Sequence, residues 1–144
     1  GGTAKAIALI LQEKNIDVVV LNRSKEKLEF FKNNGIKAFS FEDFNFKNEK
    51  FDLVVNSTSA GLKDDFLPAS KEILENILSK SSFAFDCIYG KITPFLALAK
   101  NLNNKIKDGE DMLLFQGVLA FELFTKTKAD ERLVEAMRRG LKGE

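Results

Sequence analysis

Histidine and tryptophan are absent from these 144 residues, and there is one cysteine, one tyrosine and only two prolines. Without histidine the chain lacks the commonest general base and metal ligand. Neither a Ser–His–Asp machine nor a histidine-ligated zinc site can be built within it, and no metal is expected. A single cysteine, Cys87, excludes an internal disulfide and fits a reducing cytoplasm. Neither sign of charge is in excess, 22 Lys+Arg against 21 Asp+Glu, so no basic surplus exists to collect a nucleic-acid backbone. No apolar run approaches the roughly 20 residues that cross a bilayer, and no charged-then-apolar leader opens the sequence, so no membrane partner is expected. An initiator methionine is missing too, and the chain starts in mid-motif; the expectation is a fragment of a larger protein that extends on the N-terminal side. Repeats and low-complexity linkers are absent, and 44% hydrophobic residues suffice for one domain core.

What is present is an alternation of strand-like and helix-like patterns from end to end, which predicts a mainly parallel sheet covered by helices. A helix is expected over residues 3–14 with Ile7, Ile10 and Leu11 on one stripe, then a strand from Asp17 to Leu21 ending on Asn22. Ser24 reads as the N-cap of a helix through Phe30 and Phe31, which Asn33-Asn34-Gly35 stops before a short strand over 36–40. Phe51 to Asn56 is a nearly continuous apolar run of the kind buried on both faces. A helix near 68–78 follows, with Pro68 near its first turn, then a buried strand over 82–88. Thr93-Pro94 reads as N-cap and first position of another helix, and Ile106 closes a last short strand. Helices over about 110–125 and 129–139 end the chain; the first is apolar almost all round and calls for partners on more than one side, a second copy or the missing N-terminal part.

In open α/β sheets ligands bind beyond the carboxyl ends of the strands. Gly1-Gly2 running straight into a helix, followed about twenty residues later by a strand ending Asn22-Arg23-Ser24, reads as the second half of a dinucleotide-binding βαβ unit whose first strand is missing. A carboxylate ending that second strand binds the ribose of NAD, whereas arginine accommodates the extra phosphate of NADP. Neutral Asn22, then Arg23 with Lys25 and Lys27 beyond, reads as NADP. The loop Asn56-Ser57-Thr58-Ser59-Ala60-Gly61 is rich in small hydrogen-bonding residues, suited to a ribose or carboxamide but equally an ordinary turn. Tyr89 either donates to a substrate oxygen or covers the core, and Gln116 either meets a polyol or is satisfied locally. Cys87, with no histidine to activate it, reads as a wall residue rather than a nucleophile.

Taken in order, Gly-Gly-Thr-Ala-Lys-Ala, Asn22-Arg23-Ser24, Asn56 to Gly61, Asp86-Cys87-Ile88-Tyr89 with Thr93-Pro94-Phe95-Leu96, and Asp108-Gly109-Glu110-Asp111-Met112-Leu113 with Gln116-Gly117 resemble the cofactor domain of shikimate dehydrogenases. The resemblance implies a Rossmann-like doubly wound fold lacking its first strand, with C-terminal helices, over residues 1–144. It places Gly1, Gly2, Thr3 and Ala4 against the pyrophosphate, and Asn22, Arg23, Ser24 and Lys27 around the 2′-phosphate of NADP. The family often has arginine where Lys27 stands, and lysine lacks its bidentate fork. Asn56, Ser57, Thr58, Ser59, Cys87, Gly109 and Met112 would line the adenosine-to-nicotinamide path, with Tyr89 and Gln116 reaching the polyhydroxy acid. The implied activity is reversible, NADPH-dependent reduction of 3-dehydroshikimate to shikimate in aromatic amino-acid biosynthesis. The family's proton-transfer lysine and aspartate belong to an N-terminal substrate domain, so no catalytic residue is expected here and the chain alone should be inactive. Rival readings are an NAD-using quinate/shikimate enzyme, disfavoured by Asn22-Arg23, and a non-catalytic α/β interaction module docking through residues 110–125.

Overall fold

Helix α1 (Gly2–Glu13) is rich in alanine and free of glycine and proline past its first residue. Asn15, at φ 61°, ends the run in the left-handed region that asparagine tolerates, and the Ile16 N–H closes back on the Leu11 carbonyl at 3.0 Å. The computed structural model describes residues 2–47 and 49–111. They fall into two units, residues 1–49 and 50–144.

In the first unit, strand β1 (Val19–Asn22) pairs in parallel with β2 (Lys37–Ser40), Asn22 lying opposite Ser40 at the carboxyl edge. A 3₁₀ turn (Lys25–Leu28) and helix α2 (Glu29–Asn33) connect them, and Gly35, at φ 74°, turns the chain into β2. The core is Ala8, Leu28, Phe31, Ile36 and Ala38, with Ala4, Leu9, Val18, Val20 and Phe30 packed against it. Two expectations are corrected. Of the expected α1 stripe, Ile7 and Leu11 are half-buried but Ile10 is 52% exposed; the core contacts of α1 come from Ala4, Ala8 and Leu9, with Ala4 and Ala8 one turn apart. Ser24 makes no side-chain cap; its hydroxyl turns to Glu26 while its N–H is taken by Asn22 Oδ1, so the segment starts as 3₁₀.

The second unit holds β3 (Phe51–Asn56), α3 (Lys71–Leu78), β4 (Ser81–Asp86), α4 (Pro94–Asn101) and β5 (Lys105–Lys107), with all three strands parallel in the order β3-β4-β5. Thr93 caps α4 through Leu96 N–H at 3.2 Å with Pro94 at the first position, as expected. For α3 the cap is Ser70, accepting from Ile73 N–H, so Pro68 lies outside the helix rather than in its first turn. Leu74, Leu78, Ala84, Phe95 and Ala99 form the core, joined by Val54, Leu98 and Ile106. β3 and β4 are not buried on both faces. Leu53 and Phe83, paired in register, are 43% and 47% exposed, because α3 and α4 pack with Val54, Ala84 and Ile106 and leave the alternate side chains on the other face. The parallel α/β alternation holds throughout; the helices expected over 110–125 and 129–139 lie outside the described residues beyond Asp111.

Candidate functional site

Each unit presents the carboxyl edge of a parallel sheet, and the candidate residues divide between the two edges. In the first unit α1 rises about 18 Å, and its Ala4, Ala8 and Leu9 share a core with Val18 and Val20 of the strand segment that follows. The first turn of α1 holds no acidic residue to compete for its free N–H groups. A Cβ built on Gly2 would meet nothing within 4 Å, so the protein's own packing does not demand glycine there. Thr3 is exposed and Ala4 half-buried; Gly1 lies outside the described residues.

At the end of β1, Asn22 folds its Oδ1 onto the Ser24 N–H at 2.9 Å, an Asx turn that fixes the path of the turn and sends Arg23 outward. Arg23 and Lys27 are exposed, and no carboxylate pairs with either among the described residues. The neighbouring Lys25 is engaged, its Nζ 3.3 Å from Asp43 Oδ2. This edge offers backbone N–H groups and two uncommitted cations, the donor set a phosphate-bearing ligand requires.

The second edge is built differently. Asp86 ends β4 fully buried and accepts three hydrogen bonds: Ile88 N–H on Oδ1 at 3.0 Å, and on Oδ2 Asn56 Nδ2 at 3.1 Å and Thr93 Oγ1 at 2.6 Å. Thr93 Oγ1 already accepts from Leu96, so its single proton goes to Asp86. Asn56 spends its Oδ1 on the Thr58 N–H and hydroxyl, at 3.0 and 2.7 Å, and so turns its amide protons to Asp86. Every donor direction is thereby determined. The carboxylate ties the loop after β3, the loop after β4 and the cap of α4 into one piece.

Two further ties complete it. Asp64 Oδ1 accepts from Gly61 and Phe66 N–H at 2.8 and 2.9 Å, and these two bonds hold its carboxyl below the usual range. Gly61 sits at φ 93° against Thr93 and Pro94. On the β5 side, Asp108 accepts from Gly90 and Glu110 N–H, while Gly109 donates to the Ile88 carbonyl at 3.1 Å. Gly109 is buried so close that an added Cβ would lie 2.1 Å from the Cys87 carbonyl oxygen.

The structure therefore gathers Asn56, Ser57, Thr58, Ser59, Cys87, Tyr89 and Gly109 at one edge, on loops that Asp86 and Asp108 hold. Tyr89 is 48% exposed and stands free of the core. Cys87 is half-buried; burial, with the Asp86 charge beside it, pushes its thiol up to about 11, so it stays protonated and inert near neutrality. Met112 and Gln116 lie outside the described residues. The motifs that contain Asp86 and Asp108 do not by themselves reveal these anchoring roles. The available signal was a lone carboxylate ending an apolar strand, which needs donors from elsewhere in the chain.

Comparison with known proteins adds a separate line. The family model for the shikimate 5'-dehydrogenase C-terminal domain matches residues 109–141. The shikimate dehydrogenase (NADP(+)) of Helicobacter hepaticus is 43% identical over 138 residues, covering 96% of this chain and 51% of that protein. That of Thermus thermophilus is 33% identical over 144 residues, with 98% and 52% covered. Among solved structures, the Thermus thermophilus shikimate 5-dehydrogenase in complex with NADP(H) and shikimate superposes with a TM-score of 0.75 at 32% identity, over 96% of this chain and 51% of that one. The Aquifex aeolicus shikimate dehydrogenase gives 0.78 at 30% identity, over 96% and 50%. The chain spans about half the length of the curated relatives it matches.

Proposed function

The chain belongs to the shikimate dehydrogenase family, and from that premise we propose that residues 1–144 are the NADP-binding half of an enzyme that interconverts shikimate and 3-dehydroshikimate. The observation that carries the reading is the turn after β1: an Asx turn on a neutral Asn22, with Arg23 and Lys27 exposed and in no ion pair among the described residues. An NAD-specific turn would place a carboxylate at that strand end, and Asn22 stands there.

In this reading the pyrophosphate lies along Gly1, Gly2, Thr3 and Ala4, where the α1 N–H groups and the open space over Gly2 receive it. Arg23 would hold the 2′-phosphate, Ser24 and Asn22 would shape the turn, and Lys27 would add a point charge. Ser57, Thr58, Ser59, Cys87 and Gly109 would wall the path toward the nicotinamide, on loops whose hydrogen bonds are made without a ligand, and Met112, outside the described residues, would join them. Bound NADP supplies hydride transfer; the chain's own residues bind it, orient it and exclude water. Tyr89 and Gln116 reach the polyhydroxy acid by hydrogen bonds from one phenol and one amide. No proton-transfer residue is assigned to residues 1–144, and the chain alone is expected to turn over no substrate. Self-association through the apolar segment 110–125, residence in a reducing cytoplasm, and no nucleic-acid or membrane partner complete the proposal.

The test is turnover by the intact protein carrying this chain. NADP-linked oxidation of shikimate that exceeds the NAD-linked rate is expected. A preference for NAD, or inertness toward shikimate with either carrier, would overturn it.

A further inference from the structure

The turn after β1 does not stand alone at its edge. The neighbouring strand β2 ends on Ser40, the in-register partner of Asn22, and Ser40 is 2% exposed. Asp43 N–H donates to both the carbonyl oxygen and the hydroxyl of Ser40, at 3.2 and 3.3 Å. The Ser40 hydroxyl and Lys25 beside it keep the Asp43 carboxyl below its usual range. A buried serine thus anchors a carboxylate on the loop after β2, and that carboxylate captures Lys25 from the loop after β1 at 3.3 Å. Of the three cations at this turn, Lys25 is paired with Asp43, and Arg23 and Lys27 meet no carboxylate among the described residues.

Resting on the NADP reading above, we propose that Asp43 is a specificity-determining residue: it holds Lys25 in an ion pair and lowers the net positive charge offered to the 2′-phosphate, so that NADP binds less tightly than the turn permits. The effect is specific to the phosphate, because NAD carries no charge at that ribose position. The pair is solvent-exposed, and its influence is of the modest size such pairs show.

The experiment is titration of the intact protein with NADP and with NAD at low salt. Asp43→Asn is expected to tighten NADP about two- to fivefold, NAD shifting less, with the gain shrinking at high ionic strength. Lys25→Met is expected to weaken NADP by a similar factor, since Asp43 is then uncompensated, and Lys25→Met/Asp43→Asn to return toward the original affinity. General damage to the fold lowers affinity for both carriers and produces neither a gain nor a restoration. NADP affinity unchanged or weakened in Asp43→Asn, while Arg23→Ala still weakens NADP, overturns this proposal alone. If Arg23→Ala leaves NADP affinity intact, the underlying phosphate assignment fails instead. Should Asp43→Asn not fold, Lys25→Met decides by the same NADP-to-NAD ratio.

Discussion

The two sheet edges are built by opposite means. At the end of β1 the important groups are exposed: a backbone turn, an arginine and a lysine whose charges await a partner. At the ends of β3, β4 and β5 the polar groups are already spent on one another, around a carboxylate with no solvent exposure. An exposed cation costs the fold little and gains its interaction only when an anion arrives. A buried network is committed on folding, fixes its loops in advance, and is costly to leave half-made. Substitutions at the first edge should therefore act on ligand affinity, and those at the second on stability.

The largest expected effect is at Asp86. Asp86→Ala leaves Ile88 N–H, Asn56 Nδ2 and the Thr93 hydroxyl without their acceptor, a loss of about 3 kcal/mol or more in unfolding free energy by urea titration of the intact protein. A loss below about 1 kcal/mol would show that the network is dispensable.

A pair of glycines sharpens the contrast. Gly109→Ala drives a methyl into the Cys87 carbonyl, which is backbone and cannot swing aside, for a cost of about 2–3 kcal/mol. Gly2→Ala meets empty space and should leave stability unchanged or raise it by about 0.5–1 kcal/mol through helix propensity. Its effect should fall on NADP binding, where the added methyl obstructs the pyrophosphate. Equal stability losses at the two glycines would dissolve the distinction.

The smallest effect is a pH dependence. Because the folded Cys87 thiol is raised from 9.0 to about 11, the unfolded chain ionises first. Its contribution is fully present below pH 9 and is lost as pH rises to about 11, with no change from this group across the acid range. Cys87→Ser should flatten that window in alkaline denaturation curves. An unchanged curve would mean that the thiol titrates normally.

The same contrast explains how far the molecule could be read from its residues. Thr93-Pro94 and the strand ending at Asn56 were legible because caps and apolar runs are local chemistry. The Asp86 network was not, since its donors sit 30 positions upstream and 7 downstream and meet only after parallel pairing puts Asn56 beside Asp86. Leu53 and Phe83 read as buried because an apolar run does not say which faces will be covered. Ser24 looked like a cap, but its hydroxyl turns to the Glu26 carboxylate instead of the helix N–H groups. The reason for Gly109 was likewise hidden, because close approach of two backbones leaves no trace in composition.

The most direct test of the central claim is calorimetric titration of the intact protein and its Arg23→Ala variant with NADP and NAD. The account predicts that the variant loses about tenfold or more in NADP affinity, keeps its NAD affinity, and unfolds within about 0.5 kcal/mol of the parent. NADP affinity that survives the substitution, or an equal loss for both carriers, would contradict it.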